Sequence, residues 1–302
     1  TAAVNVAINS AVRCEMARED DGFVWGEEQS RPGEGVRVRK EIFKVDFRNA
    51  FNLCSRKTFL RAVYRYFPSM YPWVYMVYGG ASPMLVWGPH ILYSKVGTQQ
   101  GDPLGPLLFS LVLRELVLEV LATCKLEINC WYCDDGHLYG TVPDLMKAWE
   151  AREVLLTHGP AFGLQVRPLK CLRFWPLREQ ELGDDTTVPK PQGMDEQAYA
   201  RWKEIPVSDS ELAVLGAPLP VCGDEYVRRY FQTEIAAPMR CGIDKLLVAL
   251  KDEPQVALHI VRVAAGIPKL RHVLATTPPQ YIAAELAAVD ALVTRTIATL
   301  GD

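Results

Sequence analysis

Alternating polar and apolar positions predict β-strands in two well-separated parts of the chain. Residues 41–46 read Glu-Ile-Phe-Lys-Val-Asp, the pattern of a half-buried strand that ends on Asp46. Residues 126–140 predict two strands joined at Asp-Asp-Gly, because Asp and Gly tolerate the backbone angles of a tight turn. If these elements pair in one antiparallel sheet, Asp46 meets Asp134 and Asp135 at the same edge.

Apolar residues at helical spacing predict several helices around these strands. Ser55 and Asp144 are each placed to cap a helix, and Pro103 marks the start of a third. The predicted helices cover residues 1–18, 55–67, 104–123 and 144–158. Between them we expect a polar, glycine-rich loop to about residue 36, a hairpin over 83–96 that turns at 88–89, and short strands near 164–167 and 171–175.

The composition changes after residue 175 and again after residue 210. Residues 176–210 are rich in Glu, Asp, Pro and Gln, with one short helical stretch, and predict an insertion or linker. Residues 211–219 predict a strand, and helical periods follow over 224–252, 255–275 and 279–300. We therefore expect an α+β fold with a sheet-containing part over 1–175, an insertion, and a mainly helical part over 211–302.

Composition places the chain among ordinary globular proteins. It has 302 residues, of which 49% are hydrophobic and 23% charged. No stretch approaches the roughly 18 consecutive apolar residues of a membrane helix, so no membrane association is expected. The eight cysteines are scattered, which favours reduced thiols in an intracellular compartment. Because the chain begins at Thr1 rather than Met, we expect a segment of a longer protein.

The charge balance is unusual for a nucleic-acid-binding domain. The formal net charge is -3, whereas such domains commonly have a pI above about 9. Local basic clusters lie near the predicted strands, and any one of them is also compatible with an ordinary solvated face. These clusters are Arg37, Arg39 and Lys40; Arg56, Lys57, Arg61 and Arg65; and Arg167, Lys170 and Arg173.

Three carboxylates at one sheet edge repel one another, so the arrangement favours a site that binds cations. Mg²⁺ prefers oxygen ligands, and two such ions can activate an attacking hydroxyl and stabilise a leaving phosphate oxygen. Taken alone, however, an Asp-Asp-Gly sequence is also just a good turn.

The neighbouring residues carry a resemblance that decides between these interpretations. Residues 132–135 read Tyr-Cys-Asp-Asp and resemble the YxDD signature of reverse transcriptases. Residues 44–51, 99–109, 162–171 and the pair Leu215-Gly216 resemble, in order, the first, second and fourth motifs and the primer grip of the same family. Residues 100–109, Gln-Gly-Asp-Pro-Leu-Gly-Pro-Leu-Leu-Phe, are closest to the non-LTR, LINE-like type.

The resemblance implies a fold and an activity. The fold is that of a right-hand polymerase: a palm with an antiparallel sheet backed by helices and a remnant of the fingers over 1–175, then a primer-grip strand and a helical thumb over 211–302. The activity is that of a retrotransposon RNA-directed DNA polymerase, a nucleotidyltransferase that extends a DNA primer on an RNA template with dNTPs.

The resemblance also implies roles for the carboxylates. Asp46 and Asp134 would ligate two Mg²⁺ ions, for which Mn²⁺ can substitute, with Asp135 nearby and the backbone carbonyl of Phe47 as a further ligand. Lys170 would protonate the departing pyrophosphate, although a solvated lysine at a strand start is an equal alternative.

Other residues would contact the substrates. Phe51 would exclude a 2′-hydroxyl, unless it is a core aromatic, while Gln100 and Gly101 would lie against the incoming nucleotide. Arg48 would meet its triphosphate, or else form a surface salt bridge. The primer-grip role falls on Leu215 and Gly216.

The chain departs from the family in one respect that keeps a second function open. Only 45 residues precede Asp46, so we expect the finger strands that would hold the triphosphate to be missing from this segment, and the isolated segment to be inactive. The alternative is a domesticated, catalytically silent module that serves as a structural or RNA-binding subunit of a nuclear or cytoplasmic ribonucleoprotein. Intact carboxylates favour the polymerase.

Overall fold

The computed structural model describes residues 39–80, 82–87, 90–99, 101–150, 161–175 and 190–301. The helix and loop predicted before residue 37, the turn at 88–89 and the second half of the helix predicted over 144–158 lie outside the described residues. Contacts divide the chain into two units, with a boundary between Ser208 and Asp209.

One five-stranded sheet forms the centre of the first unit. In spatial order its strands are β4 (Ile128–Tyr132), β5 (Asp135–Thr141), β1 (Lys40–Val45), β6 (Leu172–Phe174) and β7 (Val207–Ser208). β1 pairs antiparallel with β5 and β6, whereas β6 and β7 are parallel. The strand and hairpin predicted over 41–46 and 126–140 are therefore confirmed, and they are neighbours in one sheet.

Helices and a second, two-stranded sheet complete the first unit. The helices are α1 (Ala50–Leu53), α2 (Arg56–Tyr66), α3 (Tyr71–Tyr78), α4 (Gly105–Leu121), α5 (Val142–Glu150) and α6 (Glu196–Lys203). The small sheet pairs β2 (Ser82–Trp87) with β3 (His90–Ser94).

Helix starts follow local capping chemistry. Ser55 caps α2 as predicted, and its hydroxyl accepts the Thr58 N–H at 3.3 Å. The predicted cap of α5 is wrong by three residues, since the helix begins at Val142. Thr141 takes that role: its hydroxyl accepts the Asp144 N–H at 3.3 Å and donates to the Asp144 carboxylate at 2.9 Å.

One face of β1 is buried under helices. Phe43, Val45 and Phe47 alternate along the strand and are almost fully inaccessible. The Phe43 ring meets Trp149 and Trp202 edge-on, at centroid distances of 5.8 and 5.3 Å. This aromatic cluster ties the strand that carries Asp46 to α5 and α6.

Residues 190–208, where composition indicates an insertion or linker, pack within the first unit. Asp195 caps α6 by accepting the N–H groups of Gln197 and Ala198 at 2.9 and 3.0 Å. Trp202 is fully buried, and the Trp149 indole donates to the Ala198 carbonyl at 3.0 Å. This stretch supplies core residues and an edge strand of the main sheet.

A buried ion network closes the far end of β1. Glu41 is 0% exposed and receives two hydrogen bonds from Arg173, at 2.7 and 2.9 Å. Arg39 forms a second ion pair with Glu41. The Arg173 guanidinium also lies 4.5 Å from the centre of the Trp202 ring. The network joins β1, β6 and α6 on the helix-covered side of the sheet.

The second unit is mainly helical. Its elements are β8 (Ala213–Val214), β9 (Ala217–Pro218), α7 (Asp224–Tyr230), α8 (Ala237–Ala249), α9 (Pro254–Ile260), α10 (Arg271–Thr276) and α11 (Ala283–Gly301), with π-helical turns at Phe231–Ala236 and Val261–Ala265. Phe231, Ile243 and Ile282 lie in its separate hydrophobic core. Within the described ranges, no helix is both long and apolar enough to span a membrane.

The single strand predicted over 211–219 is wrong. The segment forms a tight hairpin in which β8 and β9 pair across Leu215 and Gly216. Both turn residues have positive φ, 53° and 76°, so the chain reverses where the apolar pattern alone indicates continuation.

We predict that Glu41→Gln lowers the free energy of unfolding by about 3 kcal/mol, because Arg173 loses a buried charged partner. Urea denaturation measures the loss. The matched control is Glu127→Gln, which removes a 48% exposed carboxylate paired with Lys40 and should cost less than about 1 kcal/mol. Equal losses in the two variants would contradict the assignment.

Candidate functional site

The structure brings the three predicted carboxylates to one end of the central sheet. Val45 is opposite Gly136 in the antiparallel β1–β5 register. Asp46, directly after Val45, and Asp135, directly before Gly136, therefore lie side by side at the same end of the two strands. Tyr132 pairs with Asp135, which leaves Cys133 and Asp134 as a two-residue turn. The turn is therefore one residue earlier than Asp-Asp-Gly, and Asp135 is the first residue of β5.

The electrostatics of Asp135 reflect this crowding. Its pKa is raised, first by burial and then by the negative charges of Asp134 and Asp46. Lys44, on the strand beside it, acts in the opposite direction. The three carboxylates thus lie close enough to repel one another, and a bound cation would relieve that repulsion.

The backbone of Asp46 is held from the side of β6. Its N–H donates to the Cys171 sulfur at 3.4 Å, and its carbonyl accepts the Arg167 N–H at 2.9 Å. The Asp46 Oδ1 atom is buried and has no hydrogen-bond partner among the described residues. A buried anionic oxygen without a partner is costly, and such an oxygen suits a metal ion as its ligand.

The hydrogen bonds on either side of Phe47 indicate the side to which its carbonyl faces. Asp46 C=O and Arg48 N–H both bond to residues 165–167 on the β6 side. Peptide groups alternate along an extended chain, so the intervening carbonyl faces the opposite side, where β5 lies. Its direction fits the ligand role implied for Phe47.

The donor set suits Mg²⁺, but the carboxylates are not drawn tightly together. Within the described residues, no three Asp, Glu, His or Cys side chains form a group that could hold a metal ion. Carboxylate oxygens and a backbone carbonyl are nevertheless the ligands this cation prefers. The site residues fit the ion in chemistry, and the side chains would have to draw closer to ligate it.

Packing beneath the carboxylates fixes the hairpin against β1. The Phe47 ring stacks on Trp131 with centroids 5.7 Å apart and planes 18° from parallel. A side chain at Gly136 would place its Cβ 2.3 Å from the Trp131 ring. Close packing against Trp131 therefore requires glycine at position 136. The sequence pattern explains this glycine only by the geometry of the turn.

Phe51 is half-buried. Its ring stacks on the buried Phe109 at 4.5 Å, with 22° between planes. The Phe51 carbonyl accepts the Thr98 N–H at 2.8 Å, which ties α1 to the segment ahead of α4. Its partial burial and its stacking on Phe109 are compatible with both the gate role and the core role.

The segment before α4 is organised by a residue that sequence inspection missed. Tyr78, only 2% exposed, donates to Asp102 Oδ2 and accepts the Gln99 N–H at 3.1 Å. Asp102 Oδ1 accepts the Leu104 N–H at 2.9 Å. Gly101 is exposed with φ +90°. Gln100 lies outside the described residues. An aspartate just before a helix signals a cap, but nothing local identifies its tyrosine partner.

Two predicted cationic residues flank Asp46. Arg48 is exposed and makes no ion pair with any residue that the structure describes, so the salt-bridge alternative finds no partner there. Lys170 is exposed and ends the 3-10 turn Pro168–Lys170, rather than starting a strand. It directly precedes Cys171, whose sulfur contacts Asp46.

His137 is a further buried group beside the carboxylates. His137 lies on β5, opposite Lys44 of β1. Neither of its ring nitrogens has a hydrogen-bond partner among the residues described. Burial, and secondarily the charge of Lys44, lowers its pKa to about 4. The imidazole is therefore neutral at pH 7 and adds no positive charge to the site.

Leu215 and Gly216 form the tip of the β8–β9 hairpin in the second unit. The His272 ring nitrogen Nε2 lies 2.7 Å from the Leu215 carbonyl and anchors the tip to α10. A leucine with φ 53° is strained, and this anchor contributes to holding it.

We predict that Tyr78→Phe destabilises the first unit by about 1–2 kcal/mol, because Asp102 and the Gln99 N–H both lose a buried partner. Burial raises the pKa of Tyr78 to about 12, from about 10 in an unfolded chain. The unfolded state then releases this proton first, so the wild type loses stability between pH 10 and 12. Tyr78→Phe lacks that component, as urea titrations at pH 9 and 11 would show.

The matched control is Tyr66→Phe, which removes a hydroxyl that donates to the partly exposed Glu115 at 3.3 Å and accepts from the exposed Arg114 at 2.8 Å. It should change stability by less than about 0.5 kcal/mol. A Tyr78→Phe protein as stable as this control would remove Tyr78 from the organisation of the loop.

The site residues lie in a part of the chain that matches a known protein family. The family model described as reverse transcriptase (RNA-dependent DNA polymerase) matches residues 27–216, more than half of the chain. The matched range contains every residue from Asp46 to Gly216 discussed above. No curated protein matches the chain. The family match and the carboxylate-bearing sheet agree: this chain belongs to the reverse transcriptase (RNA-dependent DNA polymerase) family.

Proposed function

We propose that this chain is the RNA-directed DNA polymerase of a non-LTR, LINE-like retroelement, and that the first unit is its palm. The observation that carries the proposal is the β1–β5 register, which sets Asp46 beside Asp134 and Asp135 in a member of this family. The helical second unit would be the thumb, with the β8–β9 hairpin as primer grip. An RNA template, a DNA primer and dNTPs are the proposed substrates.

Asp46, Asp134 and the Phe47 carbonyl would hold two Mg²⁺ ions, with Asp135 close by. The ions would supply a charge that favours the attacking primer hydroxyl and the departing pyrophosphate. The chain's own contribution is positional. The Phe47–Trp131 stack and the bonds from Cys171 and Arg167 hold the carboxylates in place before substrate arrives.

Neighbouring residues would act on the nucleotide. Lys170 would donate a proton to pyrophosphate, and the exposed Arg48 would contact phosphate oxygens. The absence of a Cβ at Gly101 would let the backbone approach the nucleotide closely. The side-chain amide of the adjoining Gln100 would offer the nucleotide both a hydrogen-bond donor and an acceptor. The ring of the half-buried Phe51 would clash with a 2′-hydroxyl.

Backbone strain around the carboxylates supports a functional site. Asn49, three residues after Asp46, has φ 44°, and Cys133, immediately before Asp134, has φ 53°. A left-handed conformation costs a non-glycine residue of the order of 1 kcal/mol or more, and such residues concentrate at active sites. A two-residue hairpin turn requires a positive φ, and at Cys133 a residue other than glycine adopts it directly before Asp134.

The second candidate is a catalytically silent module that binds RNA or acts as a structural subunit in a ribonucleoprotein or a longer polyprotein. Two observations favour it: the net charge of -3, and the lack of a closely drawn metal-ligand group in the described residues. All described cysteines are free, which suits a reducing intracellular compartment under either proposal. We favour the polymerase because a silent module has no need for three adjacent carboxylates.

The first test of catalysis is Asp134→Asn. We predict that Mg²⁺-dependent extension of a DNA primer on an RNA template falls by about 10²-fold or more, because the metal loses an anionic ligand. Mn²⁺ binding, followed by electron paramagnetic resonance, should weaken in parallel. Asp244→Asn, a change at an exposed site on α8, is the matched control. Because the isolated segment is expected to be inactive, the Mn²⁺ measurement decides: wild-type protein that does not bind Mn²⁺ would shift the conclusion to the silent module.

The second test is Phe51→Ala. Removing the ring should raise incorporation of ribonucleotides relative to deoxyribonucleotides by roughly 10- to 100-fold. Phe51→Tyr, which keeps the ring, should retain discrimination. If Phe51→Ala loses stability but not discrimination, the residue is part of the core alone.

A further inference from the structure

A pocket on the first unit combines positive charge with tyrosine rings, of which Tyr64 is exposed. It has a volume of about 690 Å³ and lies between α2, α3 and the chain that follows β3. Lys57, Arg61 and Tyr64 line it from α2, Tyr71 from α3, and Lys95 from beyond β3. No carboxylate is among the lining residues that the structure describes.

Most of the positive charge on α2 is not favoured by the helix itself. α2 carries four cations and no acidic residue, and two of the cations stand at its N-terminus, where the helix dipole disfavours them. Lys57, Arg61 and Arg65 follow at intervals of four residues, a spacing at which like charges repel. In the part of the chain that the structure describes, Lys57, Arg61 and Lys95 form no ion pair. Their charge is therefore open to a ligand.

A buried cation adds to the positive potential from below. Arg56 is 8% exposed, and its guanidinium donates to the carbonyls of Gly97, Gly80 and Ser94 at 2.9–3.0 Å. These partners are neutral, so the charge of Arg56 is hydrogen-bonded without being cancelled. The same contacts connect the pocket floor to the segment that leads to Gly101.

The rings are placed for stacking. Tyr64 is 65% exposed, and its ring meets the Tyr71 ring at a steep angle with centroids 5.2 Å apart. This contact orients the Tyr64 ring while most of the side chain stays accessible. On α2, Lys57, Arg61 and Tyr64 lie at positions i, i+4 and i+7, which share one helix face. A flat group resting on Tyr64 would have an arginine and a lysine beside it.

We propose that this pocket binds a single-stranded nucleic acid, with phosphates against Lys57, Arg61 and Lys95 and a base stacked on Tyr64. Alternating cations and exposed aromatic rings are the features that recognise single strands without sequence preference. An acidic peptide would use the cations but leave the ring without a role. Since the floor of the pocket holds the segment before α4, a bound nucleic acid would lie beside that segment. Only the assignment of this nucleic acid as the template rests on the proposed polymerase function.

The experiment compares two arginines one helical turn apart. Both Arg61 and Arg65 are exposed on α2, but only Arg61 lines the pocket. Binding of fluorescent 12-residue oligouridylate and oligothymidylate to the full 302-residue chain is measured by anisotropy in EDTA at several salt concentrations. Arg61→Ala should weaken binding about 3- to 10-fold and lower the salt slope by about 0.7, whereas Arg65→Ala should change the affinity less than twofold.

The aromatic contribution has its own pair of variants. Tyr64→Ala should weaken binding about 5- to 10-fold, and Tyr64→Phe should retain it, because the ring and not the hydroxyl stacks. Tyr75→Ala, at an exposed ring outside the pocket lining, is the control. Circular dichroism and thermal unfolding verify that each variant is folded.

Several outcomes would overturn the proposal. Equal losses for Arg61→Ala and Arg65→Ala would mean diffuse electrostatic attraction, and equal losses on a duplex probe would remove stacking from the account. Comparison of the two oligonucleotides separates an RNA ligand from a DNA ligand. Because EDTA removes catalysis from the measurement, a failed primer-extension test leaves this result unaffected, and failed binding here leaves the carboxylate assignment unaffected.

Discussion

Antiparallel pairing of β1 with β5 is the interaction on which the rest of the structure depends. Its register sets Val45 opposite Gly136 and thereby brings together carboxylates that are 88 residues apart in the chain. A slip of one residue would turn Asp46 to the helix-covered face and expose Phe43 and Val45. The register is therefore fixed by the burial of the same apolar residues that hold the strand against α5 and α6.

The site combines a stable base with an unfavourable surface. The Phe47–Trp131 stack beneath it and the Glu41–Arg173 ion pair at the far end of β1 join strands and helices through buried contacts. At the surface, three carboxylates repel, Asp46 Oδ1 lacks a partner among the described residues, and Cys133 has a left-handed backbone. The buried contacts stabilise the fold enough to maintain this unfavourable arrangement. Such an arrangement is expected where the binding of a ligand, rather than folding, relieves the repulsion between the carboxylates.

Two buried side chains connect the helical layer to the segment that the polymerase proposal assigns to the nucleotide. Tyr78 bonds to Asp102 and the Gln99 N–H, while Arg56 bonds to carbonyls that include that of Gly97. The pocket between α2 and α3 lies directly on these two residues. Occupancy of the pocket and the position of the segment before α4 are thus linked through shared contacts.

The sequence by itself determined the local elements and the identity of the carboxylates. Alternation predicted β1 up to Asp46, a serine cap predicted the start of α2, and turn chemistry predicted the β4–β5 hairpin to within one residue. These features depend on neighbours along the chain, so composition and spacing carry them. Tertiary structure decided the rest: the Tyr78–Asp102 bond, the Cys171 contact with Asp46, the reversal at Leu215 and the packing of residues 190–208. Such contacts join residues 24 to 125 positions apart or depend on a backbone strain that surrounding packing enforces. No local pattern can specify a partner that only the folded chain brings within reach.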